Sequence, residues 1–544
     1  MTRFNSRVSA ASPDFQRQRA HALSLVAEMR ELEDRGRRAS ATSRARFEAR
    51  GQLLPRQRLE LLLDAGAPFF ALQSLGGYAM NDDGSVGPRE TSVPGGNQLT
   101  GIGFVSGCRC VIVITDSGIS AGSYNTAGIG KILRAQKIAL ANRLPFVHLV
   151  ESAGADITSY RVDGFVNGGE MFANLCRLSA AGIPVITSLH GSSTAGGAYM
   201  PGLSDVVVAV RGRAKAFLAG PPLLRAATGE IAGDEELGGA NMHAETSGLV
   251  EHLAEDDTDA IRIVRDVIPR LHWGDGRLQP RVTRFAEPLY SPDELAGVVP
   301  SDYRVSVDVR EVVARVVDGS EFVEFKPRYG AQSVCLEAEL HGYPVAMIGN
   351  NGPIDNQGAT KISHFIQHCC QVNTPLVFLQ NTTGYMVGRA YESGGMIKHG
   401  SKMIQAMTLA SVPRITLMIG ASFGAGNFGM CGRGFAPDFL LAWPSARIGL
   451  MGPEQAGMTM RTVAEASARR KGEPIDAAAM LAYEQGVADL IGRQSDAFYT
   501  SGRLIDDAVI DPRDTRRALA FLLQTIDEAR SIALRPSNFG VARH

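Results

Sequence analysis

The groups best suited to chemistry in this sequence are backbone amides. The stretch Gly420-Ala421-Ser422-Phe423-Gly424-Ala425-Gly426-Asn427-Phe428-Gly429-Met430 follows an apolar run, Arg414-Ile415-Thr416-Leu417-Met418-Ile419, that reads as a buried strand. A strand, a glycine-rich turn and small residues at a helix start leave N–H groups free and aimed at one point. Such groups can hold an oxyanion or a phosphate. Taken alone, the stretch reads equally well as a tight turn that needs glycine for positive φ.

An earlier stretch shifts that balance. Pro184-Val185-Ile186-Thr187-Ser188-Leu189-His190 leads into Gly191-Ser192-Ser193-Thr194-Ala195-Gly196-Gly197-Ala198-Tyr199-Met200. The interval from Pro184 to Pro413 equals the interval from Gly191 to Gly420. Upstream, Lys131-Ile132-Leu133 matches Lys361-Ile362-Ser363, and Pro145-Phe146-Val147-His148-Leu149 matches Pro375-Leu376-Val377-Phe378-Leu379, both at an interval longer by a single position. A repeat of this length is a duplicated domain, not a solenoid unit. Two domains with one such turn each suggest two carbonyl-like groups brought face to face.

The elements that must position these turns alternate strand and helix, which implies α/β domains with largely parallel sheets. Pro13 to Arg50 reads as helix, with Ala20, Leu23, Val26, Met29 and Leu32 at three-residue spacing. Its Arg-rich end, Arg35 to Arg50, reads as a solvated face. A short helix follows at Leu54 to Asp64, then a polar loop at Asn81 to Asn97. Two strands surround Gly107, and Ser117 to Gly130 reads as a glycine-dotted loop before a helix at Lys131 to Asn142. Phe146 to Val150 is a strand that ends in Glu151-Ser152-Ala153-Gly154-Ala155. The proline-dotted span Trp273 to Tyr303 reads as the linker between repeats. In the second repeat the helix spans Lys361 to Gln371, and Asn381 to Gly388 stands where Glu151 to Thr158 stands in the first. Arg461 to Arg493 and Thr515 to Arg530 read as helical. Ligands of such sheets sit at the carboxyl ends of the strands.

Composition excludes several classes. A chain of 544 residues is too long for one core. The boundaries expected are 1–50 for an N-terminal helical segment, 51–290 for the first repeat and 291–544 for the second. A formal net charge of −1 gives no electrostatic case for nucleic acid or an anionic membrane. The 7 cysteines include no Cys-x-x-Cys, against a ribbon-type zinc site, and suit reduced thiols in the cytoplasm. No run reaches the ~18 apolar residues of a membrane span. Adjacent Glu235 and Glu236 read as a solvated helix face, and no metal site is expected.

Several segments together resemble the carboxyltransferase (β) subunits of biotin-dependent acyl-CoA carboxylases. They are Leu54-Pro55-Arg56 with Leu62-Leu63-Asp64, Leu133-Arg134-Ala135-Gln136, Gly191 to Tyr199, Leu218-Ala219-Gly220-Pro221-Pro222, Ala227-Thr228-Gly229-Glu230, Leu237-Gly238-Gly239-Ala240 and Ser422 to Gly432. The likeness runs over nearly the whole chain from about residue 50. Within the family, Asn381 to Arg389 and Ala425 to Arg433 are similar to the branch that carboxylates 3-methyl-2-enoyl thioesters, 3-methylcrotonyl-CoA and geranyl-CoA. Tyr160 to Gly169 and Asn351 to Asp355 are closer to the geranyl-CoA form, whereas Met451 to Gly457 departs from both.

The resemblance implies an α/β fold of two duplicated crotonase-like carboxyltransferase domains, of the ClpP/crotonase superfamily. It implies transfer of a carboxyl group from carboxybiotin, carried on a separate subunit, to an acyl-CoA, at the γ-carbon in the enoyl branch. Backbone N–H groups of Gly196 and Gly197 are then expected at the thioester oxygen, and those of Gly424 and Ala425 at the biotin oxygen. Gly154, Ala155, Ala195, Gly196, Gly197 and Gly220 are expected around acyl-CoA, and Gly384, Tyr385, Gly424, Ala425 and Gly426 around biotin. No His or Cys is expected to be catalytic, and His190, His243 and His399 are expected to be structural. Tyr199, Tyr385 and Phe428 either wall a pocket or fill core. The family also implies a homo-oligomer with a hexameric β core. No Met-Lys biotin-attachment dipeptide and no Gly-rich ATP module occur in the chain, so a partner α subunit with biotin carboxylase and biotin carrier is expected. The expected location is the cytoplasm, or the mitochondrial matrix of a eukaryote.

Overall fold

Continuous apolar runs become the centres of two sheets in the computed structural model, which describes residues 2–154, 162–273 and 284–537. Val111, Ile112, Val113 and Ile114 are fully buried, as expected of a strand covered on both faces. The chain divides into two units. One comprises Glu31–Arg281, Gly502–Leu504 and Thr525–His544, and the other Met1–Arg30, Val282–Ser501 and Ile505–Gln524. They are called the first and second unit below.

The sheet of the first unit runs in the order Phe70–Ala71, Gln98–Val105, Cys108–Thr115, Phe146–Ser152, Val185–Thr194, Val206–Val210, His252–Ala254, with Lys215–Phe217 beside Val185–Thr194. The second unit repeats this order. Its strands are Glu321–Glu324, Ser333–Leu340, Tyr343–Asn350, Leu376–Thr382, Arg414–Phe423, Phe439–Ala442 and Ala508–Val509, with Arg447–Gly449 beside Arg414–Phe423. Thr2–Arg3 adds one strand at its edge. In both sheets the outer hairpins are antiparallel and the remaining pairings parallel. The duplication read from the sequence is therefore a duplication of topology.

Each sheet has its own core. Leu62, Ile112, Leu149, Ile186, Val208 and Val264 pack together in the first unit. Ile348, Phe365, Phe378, Met403 and Met407 do so in the second.

Three readings need correction. The helices expected from Lys131 and Lys361 begin earlier, as Thr126–Ala141 and Asn356–Val372. Asn125 and Asp355 cap them, each accepting the N–H of a residue three positions on, Gly128 and Gly358. Those glycines do not break the helix; they admit a neighbour. A Cβ on Gly128 would lie 2.4 Å from the Gly96 carbonyl oxygen. The span taken as a linker is partly packed, since Leu295, Ala296 and Val298 are buried. The helical run from Arg461 is two helices, Pro453–Lys471 and Ala477–Ser495, divided at Gly472 with φ +69°.

His148 shows how the repeats diverged inside one core. It is buried, and its Nε2 has no hydrogen-bond partner. Its counterpart in the second repeat is Phe378, fully buried in the second core. Burial pushes the His148 imidazole down to about 3, because the interior disfavours the charged ring. The unfolded chain, at about 6.5, takes up a proton that the fold refuses. Stability is therefore lost as pH falls through 6.5 towards 3. Between pH 7.5 and 5.5 this one residue accounts for about 1.4 kcal/mol. Replacing His148→Phe is expected to leave stability at pH 7.5 within about 1.5 kcal/mol and to reduce the loss on acidification by that amount. Urea midpoints at the two pH values decide this.

Candidate active site

The two turns are built by the same local device. The strands Val185–Thr194 and Arg414–Phe423 end, and the next residue takes a positive φ, +52° at Ala195 and +55° at Gly424. The chain then coils at once, as the 3-10 turn Ala195–Ala198 and the short helix Gly424–Gly429. The first N–H groups of such a turn have no acceptor within it. Gly196 and Ala425 are exposed, while Gly197 and Gly426 are buried. Both strands run further than expected, because Ser192–Thr194 and Ala421–Phe423 pair with Lys215–Phe217 and Arg447–Gly449.

A neighbouring strand end supports each turn. The register shifts between Val150 and Ser152, and again between Gln380 and Thr382. This bulge places Ser152 opposite Ser193 and Thr382 opposite Ser422. Two residues on, Gly154 and Gly384 take φ of +88° and +122°. Their N–H groups donate to Ser152 Oγ at 3.1 Å and to Thr382 Oγ1 at 3.2 Å. A Cβ on Gly154 would lie 3.1 Å from Thr194 Oγ1, so Gly154 sits beside the first turn. A Cβ on Gly426 would lie 2.9 Å from Thr382 Cγ2 and 3.0 Å from Gly384 Cα. Only glycine at 426 allows that approach.

Of the expected residues, Gly154, Ala195, Gly196 and Gly197 come together in the first unit. Gly220 follows the strand that pairs with Ser192–Thr194 and precedes the helix Pro221–Thr228. Ala155 lies outside the described residues. In the second unit Gly384, Tyr385, Gly424, Ala425 and Gly426 form one cluster. Tyr385 supports it from below: a Cβ on Gly429 would meet its hydroxyl, and burial pushes that phenol up to about 12. Tyr199 and Phe428, 47% and 51% exposed, hold equivalent places on the open side of each turn.

The three histidines named above are held by hydrogen bonds. His243 Nε2 donates to the Ala216 carbonyl at 2.7 Å, and His399 Nδ1 pairs with Thr360 Oγ1 at 2.9 Å. His190 Nδ1 pairs with Asp257 Oδ1 at 2.9 Å. Burial and Arg58 hold His190 below the usual imidazole range, so it is neutral at pH 7 and donates through Nδ1. Burial alone would raise the Asp257 carboxyl, but His190, Arg58 and the Leu53 N–H outweigh it and hold it at about 2. Arg58 also donates to Glu151 at 2.7 Å. Glu235 and Glu236 make separate contacts, with Asn241 and the Gly233 N–H.

Sequence reasoning missed the amide network that fixes the second turn. Ser422 Oγ donates to Gln380 Oε1 at 2.6 Å and accepts from Asn427 Nδ2 at 2.8 Å. Gln380 Nε2 closes the network on the Met430 carbonyl at 2.7 Å. A buried Gln in an apolar strand was the signal, since such a side chain needs partners. In the first unit the equivalent anchor is single, from Ser193 Oγ to the Gly197 carbonyl at 2.8 Å.

Each unit thus presents one glycine turn, backed by a strand-end glycine and free of titratable side chains. The family model for the carboxyl transferase domain matches residues 46–540. This chain belongs to that family. It is 45% identical over 488 residues to the biotin-dependent 3-methylcrotonyl-coenzyme A carboxylase beta1 subunit of Mycobacterium tuberculosis, covering 88% of this chain and 90% of that one. It is 44% identical over 478 residues to the mitochondrial methylcrotonoyl-CoA carboxylase beta chain of Dictyostelium discoideum, covering 87% and 80%. The crystal structure of the P. aeruginosa geranyl-CoA carboxylase beta subunit covers 100% of both chains with a TM-score of 0.92 and 47% identity. The duplicated crotonase-like architecture expected from the sequence is the one the carboxyl transferase chain adopts.

The two turns differ in their tolerance of a side chain. A Cβ on Gly196 would meet only Phe172 at 3.6 Å, and the equivalent residue of the second turn is already Ala425. Gly196→Ala is expected to keep carboxyl transfer within roughly threefold of the parent. Gly426→Ala must displace Gly384 and is expected to lower kcat by roughly a hundredfold, the size of one lost oxyanion donor. Side-by-side turnover measurements check this. Equal activity of the two variants would mean that the Gly426 turn does not serve the reaction.

Proposed function

We propose that this carboxyl transferase is the β subunit of a biotin-dependent acyl-CoA carboxylase, and that it carboxylates the γ-carbon of a 3-methyl-2-enoyl-CoA such as geranyl-CoA or 3-methylcrotonyl-CoA. The observation that carries the proposal is the presence of one anion-stabilising turn in each unit. The reaction builds negative charge on two carbonyl oxygens, the thioester oxygen of the substrate and the ureido oxygen of biotin. The first unit takes acyl-CoA, with the N–H groups of Gly196 and Gly197 on the thioester oxygen. The second takes biotin, with those of Gly424 and Ala425 on the ureido oxygen.

The residues at the second turn fit a flat ureido ring. Gly426 brings the turn against Gly384 without side-chain bulk, and Ala425 and Phe428 are exposed above it. When bound, carboxybiotin supplies the carbon dioxide and, after its release, a base. The chain's own task is to orient and to stabilise charge. Each preorganised donor is worth about 3–4 kcal/mol in comparable sites. Glu151 is unsuited to be a competing base, because Arg58 and Gln52 already hold it. A hydratase of the crotonase type would need a free carboxylate there.

The isoprenoid preference has support in the helix Val162–Gly168. Val162, Phe165 and Val166 are 65–71% exposed there, apolar surface that a long acyl chain could cover. Biotin would be carried by a separate α subunit with biotin carboxylase activity, a reading supported by relatives that are themselves named beta subunits or beta chains of carboxylases. We further propose a homo-oligomeric, hexameric β core in which the biotin unit of one subunit faces the acyl-CoA unit of its neighbour, in the cytoplasm or the mitochondrial matrix.

The test is carbon dioxide fixation by the full chain with a biotinylated α subunit, ATP and bicarbonate. Geranyl-CoA and 3-methylcrotonyl-CoA are expected to turn over at least tenfold faster than propionyl-CoA. Turnover of propionyl-CoA alone would move the chain to the short-chain branch, and no fixation with any thioester would overturn the proposal.

A further inference from the structure

The second turn is braced by a segment from outside its own strand. Arg447–Gly449 runs beside Ala421–Phe423, and the chain continues through Leu450 and Met451 to the helix Pro453–Lys471. A Cβ on Gly424 would lie 3.1 Å from the Leu450 carbonyl oxygen, so this crossing lies against the residue whose φ makes the turn. The Leu450 side chain is 77% exposed. Tyr303, at the end of the span that reads as a linker, ties the crossing to the turn. Its ring meets Phe423 edge-on, with centroids 5.1 Å apart and planes at 82°. Phe423 is the buried residue just before Gly424. The Tyr303 hydroxyl donates to Glu454 Oε2, in the first turn of the helix. A Cβ on Gly452 would lie 2.5 Å from that hydroxyl, so only glycine there lets the phenol reach the carboxylate. The polarity of the pair is settled. Burial and Glu454 push the phenol up to about 12, and the phenol holds the carboxyl below its usual range.

The same place in the first unit is built without the tie. Leu218-Ala219-Gly220-Pro221-Pro222 stands where Leu450-Met451-Gly452-Pro453-Glu454 stands, each between a strand that pairs with the turn strand and a helix that opens on proline. Pro222 in place of Glu454 offers no side-chain acceptor, and a Cβ on Gly220 would meet Phe217 at 3.1 Å. A hydrogen bond to a carboxylate is stronger than one between neutral groups, and an edge-on ring pair fixes geometry as well as area. We propose that Tyr303 is a positioning residue of the second turn: with its ring on Phe423 and its hydroxyl on Glu454, it fixes the Leu450–Gly452 crossing against Gly424 and so holds the amides of Gly424 and Ala425 in place. It touches no reacting atom and acts through the backbone of Gly424. Its effect on turnover rests on the reading of this turn as the biotin site; its effect on the backbone does not.

Two measurements on the full chain test this, with Tyr303→Phe, which keeps the ring and removes the donor, and Glu454→Gln, which keeps an acceptor without the charge. Amide hydrogen exchange, read by mass spectrometry, needs no turnover. Tyr303→Phe is expected to speed exchange over 447–452 roughly tenfold and to leave 215–220 unchanged, with Glu454→Gln between it and the parent. The second measurement is carboxyl transfer from the carboxylated acyl-CoA to free biotin. In it the carbon–carboxyl bond breaks, the carbon takes the proton of the biotin N–H, and an N–carboxyl bond forms. Tyr303→Phe is expected to raise the KM for biotin roughly tenfold and to keep the KM for the acyl-CoA within twofold, a split that a mere loss of folded protein does not produce. Parent-like exchange over 447–452 in Tyr303→Phe would overturn the proposal. Equal acceleration over 215–220 would do so too, as would an equal rise of both KM values. A parent chain that transfers nothing would count against the enzymatic proposal instead, and the exchange rates would still decide the role of Tyr303.

Discussion

The chain must reverse direction at Ala195 and Gly424 without pairing the amides that follow. A strand ladder uses every N–H, and a helix uses all but its first few. Where a strand passes directly into a helix, the first amides of the helix are therefore left free at the end of the strand. Positive φ at +52° and +55° makes that passage in one residue. Everything around it serves to keep the amides in place: the bulge before Ser152 and Thr382, the hydroxyls that hold Gly154 and Gly384, and the glycine at 426 that lets two backbones touch. Ala195 adopts this conformation with a side chain, which costs roughly 1 kcal/mol or more, whereas the second turn uses glycine.

Behind the turns the two repeats solve one packing problem with different chemistry. A Cβ on Gly191 would lie 2.7 Å from the Glu151 side chain, and one on Gly420 would lie 2.4 Å from Asn381 Oδ1. The glycines are thus equivalent, but one faces a carboxylate and the other an amide. Glu151 belongs to a largely buried group with the ions Arg58 and Asp257 and the neutral His190. Such a group costs much desolvation, and removal of one partner typically costs about 3–5 kcal/mol. Asn381 holds the Ala421 N–H at 3.2 Å with no charge at all. Beneath its turn the first unit therefore carries an ion where the second carries the neutral Asn381.

Much of this was legible in the sequence because parallel strands leave continuous apolar runs and because the duplication shows each run twice, at nearly one interval. The turns and their flanking glycines followed from that alignment. Helix starts were less legible. Gly128 and Gly358 look like breakers, yet their role is close packing, which depends on a neighbour far along the chain, such as Gly96. A cavity of the first unit lined by Arg46, Arg50, Arg213 and Lys215 was hidden for a related reason. Arg46 and Arg50 end a stretch that reads as solvated surface, whereas Arg213 and Lys215 come much later, beyond the strand Val206–Val210. Only the fold brings the two groups to one opening.

Divergence between the repeats also changes the charge around each turn. Lys215 and Arg447 occupy the same ladder position, opposite Ser192 and Ala421, so a cation beside the turn is common to both units. Two residues earlier the pair is Arg213 and Ser445. Among the described residues that further cation stands only beside the first turn, where Gly51 lies next to it. Under the proposed function the turns supply what the two ligands share, donors for a carbonyl oxygen that becomes negative, and the surrounding charge is where the two repeats differ.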